Sequence, residues 1–309
     1  MPNDSYTGMD ETGIPQATQD RLISFYGPAI KDWIEQIPVV IHQAAIDWGI
    51  DLAGWYDRGW TSILAQGHTA EREPVIIKAI PENARYRREA AALNHWNGEG
   101  AAAVSARNDG DRLLLLPIVG STAGGAARPP DHEVRTAMRL PVLHRKSARP
   151  QHHVPELARD LRERMLPLVS QSQRLADVLG ESLVDAVVGR GRRAAVEISN
   201  TVMLHGDLYA DNVLFSGSGH PTFIDPRGLI GPVAYDWAFW CIFYQDEGFG
   251  RRLSIVERLQ ASELAATKLW AAVIATDSLR HHLNTSDGQV ADRLGAILTS
   301  QQILGSLEA

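Results

Sequence analysis

The segment at residues 205–228 constrains this 309-residue chain more than any other part of it. It begins His-Gly-Asp-Leu-Tyr-Ala-Asp-Asn and continues into two short apolar runs, residues 213–215 and 222–224, which flank a cluster rich in Ser, Gly and Pro. Apolar, β-prone runs on either side of turn-forming residues predict a β-hairpin. The sequence therefore predicts a hairpin with Asn212 at one side of its base and Asp225 at the other.

The expected turn sets which residues face each other across this hairpin. A two-residue turn at Ser218 and Gly219 places Asn212 directly opposite Asp225. Opposed residues in an antiparallel pair lie about 5.5 Å or less apart, so both side chains can reach one cation. A carboxylate and an amide supply oxygen ligands, which suit Mg²⁺ better than zinc or copper. We therefore expect a magnesium site at the base of the hairpin.

Asp207 lies just before the first strand of the predicted hairpin, where its carboxylate can meet a substrate hydroxyl. Phosphoryl transfer from a nucleoside triphosphate needs a group that orients the acceptor hydroxyl and takes its proton late, together with ligands for Mg²⁺. Asp207 is thus the catalytic candidate, and Asn212 and Asp225 are the metal candidates. The alternative is a hairpin whose base carries only polar capping residues, but the order of all three groups favours the chemical interpretation.

The whole pattern, His-Gly-Asp-x-x-x-x-Asn followed by an apolar hairpin and Ile-Asp, resembles the catalytic and metal-binding segments of the aminoglycoside phosphotransferases. These are small-molecule kinases related to the protein kinases. The chain most resembles the branch of the streptomycin 6-phosphotransferases and hydroxyurea phosphotransferases, over about residues 25–250. The branch similarity depends on residues 33–38 with Trp48, residues 114–117 with Gly120 and Ser121, and residues 224–226 with Gly231.

The resemblance implies an α+β, two-lobed fold of the protein-kinase type. We expect an N-terminal lobe with leading helices and a small nucleotide-binding sheet over residues 1–117. A mostly helical C-terminal lobe, with the catalytic hairpin and the acceptor pocket, is expected over residues 118–309. A Gly- and Pro-rich stretch at residues 117–130 is the expected hinge between them. A chain of 309 residues is long enough for two such lobes.

Hydrophobic periodicity predicts the individual elements. Two helices over residues 18–48 are expected to be separated by Pro38, and a third helix to begin at Pro81 and end near Trp96. Strands are expected at residues 61–66, 75–80, 102–107 and 113–116, and later helices at residues 131–147, 154–170, 172–200, 233–247 and 252–282. Strands, then a helix, then strands predict an α+β first lobe.

Composition excludes several other classes of protein. Apolar content of 44% and charged content of 22% are ordinary for a folded domain, and no apolar stretch approaches the length of a membrane span. A net charge of −7 argues against a nucleic-acid partner. Cys241 is the only cysteine, so no intramolecular disulfide can form, and the first residues lack the features of a signal peptide. We therefore expect a cytoplasmic protein without membrane or nucleic-acid partners, and its oligomeric state stays open.

Lys78 lies near the end of a β-branched strand with apolar residues on both sides. A kinase uses a lysine in that position to hold the α- and β-phosphates of its nucleotide, whereas the alternative is an exposed strand lysine. Such a lysine needs a partner that positions it. Glu89 is the first candidate because Leu93 and Trp96 share its helix face. Glu82 is the second candidate, although at the first helical turn it also favours the helix dipole.

The chain has no Gly-x-Gly-x-x-Gly loop to cover the nucleotide phosphates. Residues 59–62, Gly-Trp-Thr-Ser, are the candidate cover, with backbone N–H groups and the hydroxyls of Thr61 and Ser62 as donors. Adenine is expected to bind to backbone groups between Leu116 and Val119. These positions are the candidate contacts for ATP or another nucleoside triphosphate.

Other candidates surround the motif. His205 is expected to brace the loop by hydrogen bonding rather than to transfer protons, and Arg227 either neutralises charge at the metal site or pairs with a surface carboxylate. The resemblance implies that Asp236 caps a helix and braces the loop, with substrate contact as the alternative. Carboxylates and aromatic rings suit an amino or guanidino sugar, although a solvated loop is the alternative for some of them. The acceptor candidates are Tyr209, Asp211, Asp236, Asp246 and Glu247.

The sequence therefore favours an ATP- and Mg²⁺-dependent kinase that phosphorylates a hydroxyl of a small polar molecule, cationic or sugar-like. The resemblance implies an aminoglycoside such as streptomycin, and hence antibiotic resistance. Hydroxyurea, an amino sugar or another small metabolite is the alternative acceptor. A catalytically silent binding protein with a kinase fold is the alternative of another class. A protein kinase is disfavoured by the missing glycine-rich loop and by the lack of an evident activation segment.

Overall fold

The computed structural model describes residues 7–8, 13–120, 130–148, 153–197, 201–285 and 288–308. The chain separates into two units, Met1–Gly120 and Ser121–Ala309. The first unit has a small antiparallel sheet with α-helices, and the second is mostly helical, so the expected α+β class is confirmed. The boundary after Pro117 stays a prediction, and residues 121–129 of the expected hinge lie outside the described part of the chain.

Two helices lead the first unit, α1 (Gln16–Tyr26) and α2 (Lys31–Trp48). The expectation that Pro38 separates them is wrong, because Pro38 lies inside α2 and the break falls at Gly27. Gly27 has a φ of 82°, which glycine adopts readily, and Pro28 then begins a short 3₁₀ turn. A proline removes one backbone hydrogen bond from a helix, but the buried face of α2 keeps the helix continuous.

Within the described residues, the sheet of the first unit has six strands in the order β1-β2-β3-β4-β6-β5, each antiparallel to its neighbours. They are β1 (Thr7–Gly8), β2 (Asp51–Tyr56), β3 (Ile63–His68), β4 (Pro74–Ala79), β5 (Ala106–Asn108) and β6 (Leu113–Pro117). Strand β2 was not predicted, because its sequence lacks a run of β-branched residues. Strands β3 and β4 begin within two residues of the expected positions, and β5 begins at Ala106 rather than at residue 102.

Helix α3 (Asn83–Trp96) follows β4 and carries Glu89. Its expected start at Pro81 is wrong, because Glu82 is still extended, with φ −89° and ψ 118°, and the first helical residue is Asn83. The end near Trp96 agrees with the expectation. Asn97, in the left-handed conformation, ends the helix.

Helix α2 packs its apolar stripe against the sheet. The stripe recurs at helical spacing and belongs to the same buried cluster as Ile63 and Ala65 of β3 and Ile77 of β4. Its buried members are Ile34, Ile37, Ile41, Ala44 and Ala45. The leading helices therefore form part of the core on which the sheet rests.

The second unit contains a series of helices. They are α4 (Pro130–Leu143), α5 (Leu157–Asp160), α6 (Leu166–Ser170), α7 (Gln173–Leu179), α8 (Glu181–Glu197), α9 (Val233–Phe243), α10 (Phe249–Leu259), α11 (Leu264–Thr285), α12 (Gly288–Leu298) and α13 (Gln301–Glu308). A π-helical turn, Leu161–Met165, joins α5 to α6. The single helix expected over residues 172–200 is divided at Gly180, whose φ of 82° ends α7. Among the described helices, none is both long and apolar enough to cross a membrane.

Helix α9 lies in the core of the second unit. Every residue from Ala234 to Phe243 is buried, including Asp236 and Cys241. Burial raises the pKa of the Cys241 thiol, which keeps it protonated and unreactive. A polar residue on so buried a helix needs partners, and those of Asp236 belong to the candidate site.

Two small ladders position the loops of that site. Strand β7 (Val202–Leu204) pairs antiparallel with β10 (Leu229–Gly231), and β8 (Val213–Phe215) pairs with β9 (Pro221–Phe223). The β8–β9 hairpin was predicted, whereas β7 and β10 were not, because three-residue strands far apart in sequence leave no periodic signal. Strand β7 leads into His205 and β10 follows residues 224–228, so this ladder brings both ends of the motif together.

Replacement of Ile41 by Ala tests the packing of α2. Ile41 is fully buried, so the loss of its side-chain carbons is expected to lower the free energy of unfolding by about 2–5 kcal/mol. Val39 on the same helix is 74% exposed, and Val39→Ala should change that free energy by less than about 0.5 kcal/mol. Urea unfolding followed by circular dichroism measures both variants, and equal losses would contradict this packing.

Candidate active site

The β8–β9 hairpin has a register that differs by one residue from the expected one. Val213 pairs with Phe223, and the N–H of Ile224 donates to the carbonyl of Asn212 at 3.0 Å. Asn212 therefore lies opposite Ile224, and the expectation that it faces Asp225 is wrong. Asp225 is the next residue along, still at the base of the hairpin.

The turn of the hairpin explains this shift. The N–H of Gly219 donates to the carbonyl of Ser216 at 2.8 Å, and the N–H of Ser216 donates to the carbonyl of His220 at 3.0 Å. With a φ of 76° at Gly219, these bonds define a three-residue loop that ends in a left-handed glycine, rather than a two-residue turn. One more residue in the loop moves every pairing by one position.

Asp207 and Asn212 lie in contact within residues 205–212, here called the Asp207 loop. The Asn212 amide donates through Nδ2 to the Asp207 carboxylate at 2.9 Å and to the Asp207 carbonyl at 2.7 Å. These bonds hold the carboxylate against the loop. They also leave Oδ1 as the oxygen through which Asn212 can bind a cation.

Asp225 lies on a segment that is tied to the Asp207 loop on both sides. The carbonyl of Ile224 lies 2.9 Å from His205 Nε2, and the N–H of Arg227 donates to the His205 carbonyl at 2.8 Å. Asp225 itself has a φ of 57°, in the left-handed region that few residues with a Cβ adopt. Such backbone positions cluster at functional sites, where the surrounding contacts hold them in place.

The His205 side chain joins these two segments from a buried position. Its Nε2 faces the Ile224 carbonyl, and its Nδ1 accepts from the N–H of Asp207 at 3.3 Å. A donor at Nε2 and an acceptor at Nδ1 define the neutral imidazole. Burial lowers the pKa of His205 and outweighs the opposite effects of Asp236 and Asp207, so the ring stays neutral at pH 7. This geometry makes His205 a brace of the loop.

Asp236 anchors the Asp207 loop from helix α9. Its Oδ2 accepts the N–H of His205 at 2.9 Å, and its Oδ1 accepts the N–H of Gly206 at 2.8 Å. The structure corrects two expectations here. Asp236 lies in the first turn of α9 rather than before it, so it caps the loop and not the helix. It is also fully buried, so it does not face an acceptor.

His144, which follows α4, was not among the predicted site residues. Its Nε2 lies 2.9 Å from Asp236 Oδ2, so this carboxylate has three polar partners within the described residues. The two side chains are 92 positions apart, and no local pattern connects them. Gly206 carries a clearer signal, because a glycine between His and Asp suggests an unusual backbone. Its φ is 73°, and a Cβ there would lie 3.0 Å from Leu229 Cδ1.

Tyr209 is partly exposed and packs on α9. Its ring centroid lies 5.3 Å from that of Phe239 and 5.5 Å from that of Phe243. Burial and the nearby Asp207 carboxylate raise the pKa of Tyr209 to about 12, so its hydroxyl remains a hydrogen-bond donor at neutral pH. Asp211, two residues further on, is exposed on the same loop.

The segment after α9 carries the exposed acceptor candidates Asp246 and Glu247. Buried Arg252 of α10 holds its backbone, donating to the carbonyls of Gln245 at 2.8 Å and Glu247 at 2.7 Å. The same guanidinium forms an ion pair with buried Glu133 at 2.8 Å. The backbone of the segment is thus bonded to Arg252, and the side chains of Asp246 and Glu247 are exposed.

Arg293 of α12, which was not among the predicted site residues, connects Asp246 to the aromatic residues. Its Nη2 lies 3.7 Å from Asp246 Oδ1, and its guanidinium carbon lies 5.7 Å from the centroid of the Phe243 ring. Asp246 is 89% exposed, so the ion pair is weak and Asp246 can exchange partners. Tyr209 and Asp246 are thus brought to one region of the second unit, linked through Phe243 and Arg293.

In the first unit, Lys78 of β4 forms a buried ion pair with Glu89 of α3. Lys78 Nζ lies 2.6 Å from Glu89 Oε1, and the side chains are 2% and 1% exposed. Glu89 rather than Glu82 is therefore the partner, and the alternative of an exposed strand lysine is wrong. Removal of two charges from water is costly, so a buried pair of this kind marks a candidate functional position.

The other nucleotide candidates also lie in the first unit. Thr61 and Ser62 are buried in the turn between β2 and β3. Leu116 is buried in β6, and Val119 follows two residues after the end of that strand. The N–H of Ile118 is already bonded to β4 at 3.0 Å.

The chain matches the model of a known protein family, described as aminoglycoside/hydroxyurea antibiotic resistance kinase, over residues 48–272. None of the curated proteins compared with the chain matches it. The matched stretch is well over half of the chain and includes the Lys78–Glu89 pair and the whole Asp207 loop.

The chain is also similar to solved structures. One is the choline kinase LicA from Streptococcus pneumoniae, at 11% identity and a TM-score of 0.60, covering 89% of this chain and 99% of that one. Another is a thermostable mutant of aminoglycoside phosphotransferase APH(4)-Ia with ADP and hygromycin B, at 13% identity and 0.58, covering 86% and 97%. A third is APH(2")-IIia with GDP and kanamycin, at 16% identity and 0.53, covering 84% and 97%. At these identities the likeness shows the fold, which is that of the protein-kinase-like phosphotransferases.

The fold and the family match together define a small-molecule kinase, a phosphotransferase with an alcohol group as acceptor. The chain belongs to the aminoglycoside/hydroxyurea antibiotic resistance kinase family. The resemblance drawn from the motif is thereby confirmed. Two of the similar structures hold a nucleoside diphosphate, which supports a nucleotide as phosphoryl donor.

Asp236→Asn tests the anchor of the Asp207 loop. The variant keeps the side-chain shape but turns an NH₂ group toward a backbone donor, which leaves a buried N–H without an acceptor. We expect the free energy of unfolding to fall by about 1–3 kcal/mol, and the amide hydrogens of residues 205–206 to exchange faster. Urea unfolding and hydrogen-exchange mass spectrometry measure these effects. Asp185→Asn, exposed on α8, is the control, and unchanged exchange in Asp236→Asn would argue against the anchor.

Proposed function

We propose that this kinase transfers the γ-phosphoryl group of a nucleoside triphosphate, with ATP as the expected donor, to a hydroxyl of a small polar acceptor. The best candidate acceptor is an aminoglycoside such as streptomycin, so that the enzyme confers antibiotic resistance in the cytoplasm. The observation that carries the proposal is the bond between Asn212 and the Asp207 carboxylate, on a loop anchored by buried Asp236. The family match and the aminoglycosides bound by two similar structures support it.

Asp207 is the proposed catalytic residue. Its carboxylate accepts a hydrogen bond from the acceptor hydroxyl, orients the attacking oxygen and takes the proton late, because the transition state of phosphoryl transfer is loose. The Asn212 amide keeps the carboxylate in place at 2.9 Å. His205 contributes no proton in this scheme, since its ring nitrogens are bonded to backbone groups of the loop and of Ile224.

Asn212 and Asp225 are the proposed ligands of Mg²⁺. The donor set fits, because the amide nitrogen of Asn212 is bonded to Asp207 and its Oδ1 remains as a ligand, and Asp225 adds an anionic oxygen at the same hairpin base. Mg²⁺ commonly takes only one or two protein ligands and completes its coordination with phosphate and water oxygens. When bound, the ion neutralises charge on the phosphates during transfer.

The first unit is proposed to bind the nucleotide. Lys78 holds the α- and β-phosphates, and Glu89 fixes the position of its ammonium group. Backbone N–H groups at Thr61 and Ser62 cover the phosphates. Backbone groups between Leu116 and Val119 bind the base.

The acceptor is proposed to contact Tyr209, Asp211, Asp246 and Glu247. An amino or guanidino sugar offers cations to the carboxylates and an apolar face to the Tyr209 ring. The exposure of the three acidic side chains leaves them accessible to such a ligand. A catalytically silent binding protein is disfavoured, because Asp207, Asn212, Asp225 and the buried Lys78–Glu89 pair are all present.

The function is tested by Mg²⁺-dependent release of ADP from ATP with a panel of acceptors: streptomycin, a deoxystreptamine aminoglycoside, hydroxyurea, glucosamine and a control without acceptor. Stimulation by streptomycin, with one phosphate added by mass, supports the proposal in full. Stimulation by another compound keeps the kinase and replaces the acceptor. ATP binding without turnover on any compound shifts the search to other small metabolites, and loss of both would favour the silent scaffold.

Asp207→Asn should lower kcat by about two orders of magnitude or more, because the amide cannot take the proton of the acceptor. The Kd for ATP, measured by isothermal titration calorimetry, should change little. Asp185→Asn again serves as the control, since its carboxylate is exposed on α8. Turnover near that of the wild type would remove Asp207 from the mechanism.

Asp225→Asn should raise the Mg²⁺ concentration for half-maximal activity by about tenfold or more, because one anionic ligand becomes neutral. Initial rates measured across a Mg²⁺ titration at fixed ATP report this change. A titration curve that superimposes on the wild-type curve would exclude Asp225 as a metal ligand.

A further inference from the structure

The turn at residues 57–62, between β2 and β3, is here called the phosphate turn, because the proposed function assigns it to the nucleotide phosphates. It has one glycine, Gly59, in place of a glycine-rich loop. A Cβ at Gly59 would collide with the carbonyl oxygen of Ser62. The chain therefore approaches itself closely here, which requires a glycine at position 59.

Helix α1 contacts the first half of the phosphate turn through Thr18 and Arg21. The Thr18 hydroxyl donates to Asp57 Oδ1 at 2.5 Å, and Arg21 Nη2 donates to the same oxygen at 2.7 Å. Arg21 Nη2 also donates to the carbonyl of Gly59 at 3.1 Å. Thr18 is buried and the Arg21 side chain is 25% exposed, so these contacts are partly shielded from water.

Tyr26, at the end of α1, contacts the second half of the turn. Its hydroxyl donates to the carbonyl of Thr61 at 3.1 Å. Side chains of α1 therefore contact the phosphate turn at both its beginning and its end.

Helical spacing places these contacts on one side of α1. Thr18, Leu22 and Tyr26 follow each other at intervals of four residues, so they share a face, and Arg21 lies beside it. Leu22 is fully buried in the core cluster of the first unit. The helix is therefore fixed by apolar packing, while its polar residues reach the turn.

The charge state of Asp57 agrees with this arrangement. Burial acts to raise the pKa of Asp57, but the hydrogen bonds from Thr18 and Arg21 outweigh it, and the pKa lies below its ordinary value. Asp57 is therefore ionised at neutral pH, and its pair with Arg21 persists under the conditions of a kinase assay.

We propose that α1 is a clamp that fixes the phosphate turn in its nucleotide-binding conformation, with Arg21 and Tyr26 as positioning residues. The inference rests on the proposed role of the turn in binding the nucleotide. A turn that is free to leave the competent conformation binds its ligand more weakly, because the apparent Kd rises in inverse proportion to the fraction of time spent in that conformation. In this proposal, side chains of α1 restrict the conformations of the phosphate turn, which the short turn does not restrict by itself.

Three variants of the full chain test this clamp. Arg21→Met removes the donors to Asp57 and Gly59 but keeps the aliphatic length, and Tyr26→Phe removes only the hydroxyl. Arg107→Met is the matched control, because Arg107 forms an exposed ion pair with Asp109, at 3.4 Å, on the edge strand β5 of the same sheet.

The measurements are the Kd for ATP with Mg²⁺, by calorimetry, and hydrogen exchange of the peptides that span residues 57–62. We expect the Kd to rise about three- to tenfold in Arg21→Met and about two- to threefold in Tyr26→Phe. Exchange at residues 57–62 should become faster in both, while β4 keeps its protection. Arg107→Met should match the wild type in both measurements.

Several results would overturn the inference. If the wild type binds ATP and both Arg21→Met and Tyr26→Phe bind it with the same Kd as the wild type, the clamp is excluded and the proposed function stays intact. Faster exchange of the turn without loss of affinity excludes it as well. A wild-type protein that binds no nucleoside triphosphate removes the proposed function, and the inference with it. If Arg21→Met loses protection throughout the first unit, Tyr26→Phe decides between these outcomes.

Discussion

One buried carboxylate, Asp236, holds the backbone on which the proposed chemistry depends. The chain bends at Gly206, where φ is 73°, and the buried N–H groups of His205 and Gly206 both donate to that carboxylate. A buried N–H without an acceptor is strongly unfavourable, so the bend and the carboxylate require each other. Because α9 is buried from Ala234 to Phe243, the Asp207 loop is anchored to the core of the second unit.

Both units contain buried ionisable side chains that are bonded to polar partners. Lys78 has Glu89 in the first unit, and in the second Asp236 has two backbone donors and His144, while Arg252 has Glu133 and three carbonyls. Such groups add little net stability, because their attraction is largely offset by the loss of hydration. They fix the local conformation instead, since a buried polar group is costly unless all of its partners are in place.

The hairpin shows how far local sequence reasoning reaches. The two strands and the turn between them were predicted, because apolar runs around a Gly- and Ser-rich cluster allow few other structures. The register was not, since a two-residue and a three-residue loop both fit that cluster. A two-residue turn would need a positive φ at Ser218, whereas the three-residue loop needs one only at Gly219. The helix break expected at Pro38 was wrong, because burial of the α2 stripe outweighed the preference of proline to end a helix.

The sequence by itself determined the order of the chemical groups: a lysine on a strand, a glutamate on the next helix, and then Asp207, Asn212 and Asp225 around a hairpin. That order is readable because each group must follow a particular kind of element, and elements leave periodic signals. Only the tertiary structure decided that Asp236 anchors the loop with His144, that Arg252 and Arg293 contact the segment that carries Asp246 and Glu247, and that side chains of α1 contact the phosphate turn. These contacts join residues far apart in the chain, and no local pattern encodes which distant side chains will meet in a packed core.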